Sequence, residues 1–511
     1  MSQFLKRVLL SLLAVVVLLL LTAKLWLGEE FETSAKVLLN TVAGYSVASP
    51  SQQQVDQRFT VPPGFRVTVY ASDLGKVRML EMSPAGDLLA SQPRKGTVTI
   101  LGRDNNRDGL PDNRRVLLAG LTRPHGLELV DGWLYVAESN QIGRIAFDAQ
   151  SGQVQGDYQV LIKGLSDSGN HWTKSLRAGD DGWLYVSSGS SCNVCVEEDE
   201  QRAAISRFKL ADQNPRLELF ASGLRNSVGM DWSPWEQALY ATDNGRDLLG
   251  DDYPPCELNR IVKGGFYGWP YINGYAELDP DLGQGREDLL NDAISPVHGF
   301  RAHNAPLGMR FISAGDWPAQ FHKTALVALH GSWNRSSRDG YKVVSLHWQP
   351  NGKVIERDFM SGFLRSDMAQ PQGESVIGRP VDIAQGEDGA VYISDDYSGT
   401  VFKVVYSGES EPLAASYGAN AKTAVQVKVS GASSLELQQQ GAAVFKHYHC
   451  ASCHDARYAQ ANRPVRPLEN LASRYTAEGL QDFLLSPTPP MPLYPLSEQQ
   501  RIALAAYLLN R

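Results

Sequence analysis

The feature that most constrains the fold is a short phrase, a turn followed by an aromatic or β-branched strand, that recurs six times. The copies lie at residues 86–90, 132–137, 182–187, 238–242, 324–328 and 389–394. Most are spaced by roughly the length of one four-stranded sheet, and no long helical periodicity interrupts them. We therefore predict an all-β, six-bladed β-propeller over residues 59–408. The wider gap at residues 247–310 predicts long loops, which usually carry function on a rigid scaffold.

Near the C-terminus, Cys450-Ala-Ser-Cys453-His454 has the spacing of a covalent c-type haem attachment site. The two thiols would bond the haem vinyl groups, and His454 would ligate the iron. The alternatives are a zinc knuckle or a redox-active CxxC, but zinc would need a second nearby pair of ligands. The motif predicts haem c, maturation outside the cytoplasm and a role in electron transfer.

The sixth iron ligand follows by elimination, because after His454 the chain contains no histidine and one methionine, Met491. Met491 stands in a proline-rich stretch, residues 487–492, that suits the presentation of a thioether to iron. A methionine that merely fills a gap in the core is the alternative. Helical patterns lie on both sides, with Ser497 as a helix cap. Residues 433–511 thus resemble a small all-α class I cytochrome c, in which Met/His ligation sets a fairly high potential.

The N-terminus carries Lys6 and Arg7 ahead of an apolar run over residues 8–21. The run is near the boundary between a signal sequence and a spanning helix, which needs about 20 residues. No Ala-x-Ala cleavage pattern follows it. We predict that residues 1–28 form a membrane anchor, with a cleaved signal peptide as the alternative, and that the basic residues stay inside.

Both ends of the chain therefore predict a periplasmic location, with anchoring to the inner membrane by the N-terminal helix. Residues 29–58 and 409–432 are predicted linkers around the propeller. The net charge of −8 offers no basic face, so nucleic acid is not an expected partner.

Five motifs in the middle of the chain resemble the glucose/sorbosone dehydrogenase family. They lie at residues 171–189, 223–226, 259–270, 330–335 and 378–382. That family consists of six-bladed propellers that use pyrroloquinoline quinone (PQQ), and the similarity spans nearly the whole predicted propeller. Fused to a cytochrome c, such a propeller resembles a sorbosone-type or aldose-type quinohaemoprotein. The resemblance implies oxidation of a sugar hydroxyl or aldehyde by hydride transfer to PQQ, with electrons leaving through haem c to an external cytochrome or membrane quinone chain.

Two residues match the catalytic positions of that family. His171 corresponds to the base that removes the hydroxyl proton, a task suited to a histidine with a pKa near neutrality. Arg225 corresponds to the arginine set against the reactive carbonyl of the quinone, where a guanidinium stabilises negative charge. The alternatives are a loop histidine that caps a turn and an ordinary solvated arginine.

PQQ has three carboxylates, so its pocket needs several cationic donors. The resemblance places cofactor contacts at Arg225, Asn226, His303, Arg335 and Arg379, with Arg94 and Lys342 as further positional candidates. For each arginine taken alone, surface charge is the commoner explanation. Their positions in family motifs favour a role in the cofactor site.

Calcium is implied at two places. The family binds one ion against the quinone through main-chain carbonyls, and Gly245 and Arg246 align with that point, where the ion would act as a Lewis acid. Separately, the stretch over residues 104–112 resembles the first half of an EF-hand loop and lacks its twelfth-position glutamate. Its candidate ligands are Asp104, Asn106, Asp108 and Asp112, and an Asx-rich turn is the alternative.

The remaining cysteines depart from the simplest form of the resemblance. Cys256 stands where related sequences usually have an acidic residue, which puts any ion site relying on that side chain in doubt. Cys192 and Cys195 recur in sorbosone-type relatives, and in an oxidising compartment they favour a disulfide over a metal-ligand pair. Cys256 is then unpaired, and its default interpretation is a buried inert thiol.

Two classes of function stay open. The favoured one is a PQQ-dependent sugar dehydrogenase that reduces its own cytochrome. The rival is a degenerate propeller that acts as a recognition scaffold attached to a haem c electron carrier. His171, Arg225 and the motif at residues 330–335 together favour the enzyme, whereas the identity of the sugar cannot be read from the sequence because a single loop can change it.

Overall fold

The computed structural model describes residues 47–313, 315–366, 374–408, 434–448, 450–454, 468, 471–485, 487, 491, 494 and 496–510. The chain forms two compact units, Met1–Glu409 and Ser410–Arg511. The predicted anchor at residues 1–28 and the predicted linker at residues 409–432 lie outside the described residues. Within the described part of the chain, no helix is long and apolar enough to cross a membrane.

The first unit consists of six blades, each built on four antiparallel strands, as the sequence predicts; in blade 3 a short fifth strand, Gly265–Phe266, pairs in parallel with the outermost strand. Strand β1 (Phe65–Ala71) precedes the first blade in the chain. Blades 1 to 3 are β2–β5 (Leu80–Met82, Leu88–Gln92, Thr97–Leu101, Arg114–Leu118), β6–β9 (Leu127–Val130, Trp133–Ala137, Gln141–Asp148, Gln153–Lys163) and β10–β13 (Lys174–Ala178, Trp183–Ser188, Ala204–Lys209, Glu218–Ser222).

The remaining strands follow in chain order. Blade 4 contains β14 (Ser227–Trp232), β15 (Leu239–Asp243), β16 (Cys256–Ile261) and β20 (His298–Phe300), with β17 (Gly265–Phe266), β18 (Ile272–Asn273) and β19 (Glu277–Leu278) inserted before β20. Blade 5 is β21–β24 (Pro306–Phe311, Thr324–Leu329, Lys342–Trp348, Val354–Met360), and a hairpin of β25 (Leu364–Ser366) and β26 (Glu374–Val376) follows it. Blade 6 contains β27 (Pro380–Gln385), β28 (Val391–Asp395) and β29 (Thr400–Tyr406). Short 3₁₀ turns occupy Glu287–Asn291 and Ala319–Phe321.

The six recurring phrases form the second strand of each blade, namely β3, β7, β11, β15, β22 and β28. These strands are apolar because both of their faces are covered by neighbouring blades; β22, for example, is buried at all six positions. Between blades 1 and 2, Leu89 and Ile100 pack against Leu134 and Ile145 in one cluster. The repeat in the sequence is thus a repeat of the buried layer between blades.

Blade 6 is completed by the start of the chain, because β1 pairs with β29 along its length. The residues just before β1 also pack on the propeller, although they fall in the predicted linker at residues 29–58. Helix α1 (Gln52–Arg58) begins with a capping box between Ser51 and Gln54 and buries Val55 beside Phe402. The helix was not predicted from the sequence, because its one buried apolar side chain produces no helical periodicity. The capping box was the signal that could have identified it.

The innermost strands surround the propeller axis and present one charged side chain from each blade. These residues are Glu81, Glu128, Arg177, Asp231, Arg310 and Asp382. The acidic members accept backbone N–H groups from the next blade, as in Ala178 to Glu128 (3.0 Å) and Leu80 to Asp382 (2.8 Å). Burial and the nearby Glu128 raise the pKa of Glu81 to about 8. The ring of side chains therefore links adjacent blades by charge-assisted hydrogen bonds.

In an antiparallel blade, the connection before the innermost strand and the connection between the second and third strands lie at the same end. We call this end the upper face. It includes residues 164–173, 189–203, 223–226, 244–255, 301–305, 330–341, 377–379 and 396–399. Residues 102–113 join the third and fourth strands of blade 1 and therefore lie at the opposite end.

The second unit is helical, as predicted. Its helices are α2 (Ser434–His447), α3 (Ala451–His454), α4 (Ala477–Leu485) and α5 (Glu498–Leu509), with a 3₁₀ turn at Leu471–Ser473. Helix α5 begins at the predicted cap, where Ser497 and Gln500 form a capping box. Helices α2 and α5 pack closely at Gly441, where an added Cβ would lie 2.0 Å from the carbonyl oxygen of Ala503. Glycine is thus required at that crossing.

Candidate functional site

The predicted base, His171, lies on the upper face in the connection that leads into β10. Its φ of 45° is in the left-handed region, which few non-glycine residues adopt. The buried guanidinium of Arg202 fixes the connection by donating to the carbonyls of Gly189 (2.5 Å), Ser168 (3.2 Å) and Asn170 (2.7 Å). The strained backbone of His171 is therefore held by its surroundings.

The hydrogen bonds of His171 determine its tautomer. Its Nδ1 lies 3.1 Å from the carbonyl oxygen of Ser190 and 2.9 Å from the Ser190 hydroxyl, which itself donates to the carbonyl of Cys192. Since a carbonyl can only accept, Nδ1 carries the proton and Nε2 keeps its lone pair. Burial, and then the charge of Arg225, lower the pKa of His171 to about 3. The expectation of a pKa near neutrality is therefore wrong, because the imidazole is desolvated and faces a cation.

Arg225 is 3% exposed, which rules out the solvated alternative. Its guanidinium donates to the main-chain and side-chain oxygens of Asn193 (2.9 and 2.8 Å) and to the carbonyls of Asn244 (3.2 Å) and Gly245 (3.0 Å). It also pairs with Asp247 at 3.1 Å. Arg225 is thus a fixed cation directly beside the residues predicted to hold calcium.

Asn226 follows Arg225 and reaches toward the base. Its side-chain Oδ1 is buried and finds no hydrogen-bond partner in the described part of the chain. A Cβ added at Gly189 would lie 2.6 Å from both this oxygen and the Cβ of His171. Glycine at position 189 therefore permits the close approach of Asn226 and His171, and the orphaned oxygen suits a polar ligand.

His303 and Arg335 are joined by the connection between β15 and β16. His303 donates from Nε2 to the carbonyl of Gly250 (2.8 Å), and its Nδ1 lies 3.6 Å from Asp247. Arg335 pairs with Asp252 at 3.1 Å and also donates to the carbonyl oxygen of Asp251. Its Nε is buried without a hydrogen-bond partner among the described residues. The structure thus places both predicted contacts in one network with Arg225.

Arg379 belongs to a second group on the upper face. It donates to the carbonyls of His330 (3.0 Å) and Gly331 (2.6 Å). His330 contacts Asp396 at 2.9 Å, and Asp396 pairs with Arg78 at 3.0 Å. Burial, and then the charge of Arg379, lower the pKa of His330 to about 4. Arg379, from the 378–382 motif, is therefore fixed to the 330–335 motif, which carries Arg335.

The two further positional candidates have different surroundings. Arg94 is exposed. Lys342 forms an ion pair with Asp358 on the neighbouring outer strand (Nζ to Oδ1, 2.6 Å), so its ammonium group is already paired within blade 5. The described contacts thus connect neither side chain to His171 or Arg225.

At the predicted quinone-side calcium position, the carbonyl of Gly245 accepts a hydrogen bond from Arg225 (3.0 Å). The side chain of Arg246 forms a buried ion pair with Asp279 at 2.7 Å. Cys256 is buried nearby, and burial raises the pKa of its thiol to about 11. The thiol is buried, as expected, and as a neutral group it supplies no charge to a metal site.

The EF-hand-like stretch is built from side-chain-to-backbone hydrogen bonds. Asp104 accepts the N–H groups of Asp108 (3.0 Å) and Gly109 (2.8 Å), and Asn106 accepts that of Asp108 (2.9 Å). Among the described residues, Asp104, Asp108 and Asp112 do not form a compact group of metal-ligating atoms. This geometry matches the Asx-rich alternative, and calcium at this stretch stays a prediction.

The cysteine pair on the upper face forms a disulfide, Cys192–Cys195. Because both sulfurs are bonded to each other, the pair is not a metal-ligand pair. The prediction of a small disulfide ring is confirmed.

The described parts of the predicted haem site fit an attached haem. Cys450 is buried, and its carbonyl accepts the N–H of His454 (3.2 Å), which places both in one helical turn. Met491 packs against the same apolar cluster that contains Cys450 and Leu504. The side chain of Cys453 lies outside the described residues. The attachment motif and the candidate axial ligand thus border one core.

Three residues of the upper face were not identified from the sequence. Ser190 contacts the base, whereas Asn193 and Asp247 contact the guanidinium. Each could have been suspected from its neighbours in the sequence. Ser190 follows Gly189, Asn193 lies between the two cysteines of the CxxC pair, and Asp247 follows Gly245-Arg246. Serine, asparagine and aspartate are common loop residues, so position alone did not distinguish them from turn formers.

Comparisons with known proteins agree with this architecture. The TrAA12-like family model matches residues 59–255 and 286–407, which is more than half of the chain, and the cytochrome c model matches residues 438–511. The pyrroloquinoline quinone-dependent pyranose dehydrogenase of Coprinopsis cinerea is 24% identical over 418 residues, 70% of this chain and 56% of that protein. The chain thus spans little more than half the length of this relative.

Two solved structures share the propeller fold. The calcium structure of the Trichoderma reesei Carbohydrate-Active Enzymes family AA12 protein aligns with a TM-score of 0.60 and 20% identity, over 71% of this chain and 99% of that one. The holo form of the PQQ domain of Coprinopsis cinerea pyranose dehydrogenase aligns with a TM-score of 0.58 and 21% identity, over 70% of this chain and 98% of that one. The chain therefore belongs to the TrAA12-like family of propeller proteins and carries a C-terminal cytochrome c domain.

Proposed function

We propose that this protein is a PQQ-dependent sugar dehydrogenase that passes electrons to its own haem c. The observation that carries the proposal is the pairing, on the upper face, of a neutral His171 with a bare Nε2 and a buried, fixed Arg225. A base and a cation are the two groups that removal of a hydroxyl proton and reduction of a quinone require. The relatives named above support the same chemistry.

The residues of the upper face fit PQQ. Its three carboxylates require cations, and Arg225, Arg335 and Arg379 are held there. The buried polar atoms of this face that find no partner among the described residues include Asn226 Oδ1, Asn334 Nδ2 and Arg335 Nε. We propose that these groups and His303 hold the cofactor.

The chain's own residues perform the proton chemistry. When bound, PQQ supplies a two-electron acceptor for hydride from the sugar carbon. His171 takes the hydroxyl proton at Nε2, while its Nδ1–H stays bonded to Ser190 and keeps the ring oriented. Arg225 offers a preorganised positive charge to the oxygen on which negative charge develops. Arg225 is buried and His171 is half-buried, which limits the access of water to the proton transfer.

Calcium is proposed at the carbonyls of Gly245 and Arg246. A carbonyl oxygen has two lone pairs, so the bond from Arg225 to Gly245 leaves one for a cation. Bound there, calcium would supply Lewis acidity to the cofactor. The calcium structure of the Trichoderma reesei protein supports this proposal. Calcium at Asp104, Asn106, Asp108 and Asp112 is a separate proposal of a structural ion at the opposite end of the propeller.

In the cytochrome c domain, we propose that Cys450 and Cys453 attach the haem and that His454 and Met491 ligate its iron. Electrons would leave to an external cytochrome or membrane quinone chain. We further propose a periplasmic location with anchoring through residues 1–28. The haem attachment motif and the basic, apolar N-terminus support this location.

The direct test is reconstitution of the full-length protein with PQQ and Ca²⁺, followed by a panel of aldoses, sorbosone and simple alcohols with an artificial electron acceptor. We expect turnover on at least one sugar, and no turnover when PQQ is omitted. A sample prepared with a chelator and without added Ca²⁺ should bind PQQ and turn over far more slowly. Absence of PQQ-dependent turnover on every member of the panel would contradict the proposal and favour the recognition scaffold.

A further inference from the structure

The disulfide ring of Cys192 and Cys195 is linked by hydrogen bonds to both the proposed base and the proposed cation of the site. It belongs to the connection between β11 and β12, whereas His171 and Arg225 come from the connections before β10 and β14. One side of the ring contacts the base through Ser190, and the other contacts the guanidinium through Asn193. The ring thus contacts Arg225 directly and His171 through Ser190, two site residues from different connections of the chain.

On the base side, the Ser190 hydroxyl donates its hydrogen to the carbonyl of Cys192 (2.7 Å). Its oxygen is therefore an acceptor for Nδ1–H of His171 (2.9 Å). The backbone N–H of Ser190 donates to the carbonyl of Arg225 (2.7 Å). The carbonyl at the start of the ring thus adds, through the orientation of this hydroxyl, to the main-chain carbonyl of Ser190 (3.1 Å) in favouring the tautomer that leaves Nε2 of His171 unprotonated.

On the cation side, Asn193 accepts from Arg225 at both its main-chain oxygen (2.9 Å) and its Oδ1 (2.8 Å). The same Oδ1 accepts the N–H of Asp247 (2.8 Å), and Nδ2 donates to the carbonyl of Asp247 (3.1 Å). Asn193 thereby holds the guanidinium and the carboxylate that pairs with it. A four-residue covalent ring restricts the backbone that carries this asparagine, which preorganises these contacts.

We infer that the ring closed by Cys192 and Cys195 is a positioning element of the reaction, and that Ser190 and Asn193 are its positioning residues for His171 and Arg225. The kinetic part of this inference rests on the proposed function. The arrangement around His171 can be measured without turnover.

The kinetic test compares Ser190→Ala and Asn193→Ala with Val194→Ala in the reconstituted full-length protein. Each alanine at 190 or 193 removes hydrogen bonds to a charged or reacting group, so we expect kcat to fall about ten- to hundredfold. KM for the sugar should stay within about threefold, because both residues act on the reacting groups rather than on the sugar. Val194→Ala is the matched control, since it keeps the ring closed and has no polar side chain to lose.

The structural test uses ¹⁵N-histidine labelling of the protein without PQQ, with His171→Gln to assign the signal. The ¹⁵N shifts of His171 should show a protonated Nδ1 in the wild type. In Ser190→Ala the fraction of the Nε2–H tautomer should rise, although the main-chain carbonyl of Ser190 still accepts from Nδ1 (3.1 Å) and keeps the Nδ1–H form dominant. Ser190→Asp places a carboxylate against Nδ1, in surroundings that already include Arg225, Arg202 and Asp247. It should move the acid limb of kcat/KM upward by about one pH unit, which a purely structural role would not do.

The role of ring closure is tested by the double variant Cys192→Ser/Cys195→Ser, with circular dichroism to verify the propeller. We expect a folded protein whose kcat is reduced at least as much as that of Asn193→Ala. Wild-type kcat in a folded double variant would overturn the role of ring closure. If the double variant does not fold, the two alanine variants, which retain the disulfide, still decide whether Ser190 and Asn193 position His171 and Arg225.

The outcomes separate the two proposals. Unchanged kcat in Ser190→Ala and Asn193→Ala, together with an unchanged His171 tautomer, would overturn the positioning role. If the wild type oxidises no sugar but Ser190→Ala still shifts the tautomer, the positioning of His171 is supported and the proposed function fails.

Discussion

His171→Ala should bind PQQ and lose about 10²- to 10⁴-fold in turnover, the usual contribution of a positioned general base. The imidazole supplies a lone pair at Nε2 and contacts the propeller through Nδ1 to Ser190. Its removal therefore takes away the proton acceptor and leaves the cationic residues in place. The measurement is single-turnover reduction of bound PQQ by sugar, with PQQ affinity determined separately.

The matched control is His322→Ala, because His322 is an exposed histidine outside the upper face. It should keep wild-type turnover. Since the pKa of His171 is about 3, the base form is present at all pH values above that range, and His171 should cause no loss of activity between pH 7 and pH 5. A near-wild-type rate in His171→Ala would remove this residue from the mechanism.

Arg225→Lys should cost about 10²- to 10³-fold in turnover, although it keeps the positive charge. The guanidinium bonds to Asn193, Gly245 and Asp247 in fixed directions, and an ammonium group cannot reproduce this planar set of donors. The displaced charge would no longer face the reacting oxygen, and PQQ affinity should also fall. Single-turnover kinetics and PQQ titration measure the two effects.

Arg260→Lys is the control for this substitution, because Arg260 forms an exposed pair with Glu236 on blade 4. It should have wild-type kinetics. If Arg225→Lys retained wild-type turnover and PQQ affinity, charge alone would suffice and the proposed directional role of Arg225 would be wrong.

The blades were predictable because their signal is local. Each second strand follows a turn and consists of a buried aromatic or β-branched run. This pattern can be recognised in the local sequence without knowing which strands lie beside it. The cap at Ser497 is local in the same way, and it was predicted correctly. The ring of charged side chains around the axis was not predicted. Its members, such as Glu81, Arg177 and Asp382, are far apart in the sequence and meet only when the propeller closes.

For the candidate site the resemblance supplied positions, as for His171, Arg225 and Arg379, and the structure places all three on the upper face. The contacts that position these residues were missed, because Ser190 and Asn193 act through hydrogen-bond directions that no spacing encodes. The pKa of His171 was missed for a related reason. It depends on burial and on Arg225, a residue more than 50 positions later in the chain.

The central claim is that sugar oxidation on the propeller delivers electrons to the haem of the same chain. The most direct test is stopped-flow absorbance of the haem after a substrate sugar is mixed with the PQQ- and Ca²⁺-reconstituted protein, without an external acceptor. We predict haem reduction that requires PQQ, is independent of protein concentration and is slowed in His171→Ala. Haem that stays oxidised while bound PQQ is reduced would contradict the claim.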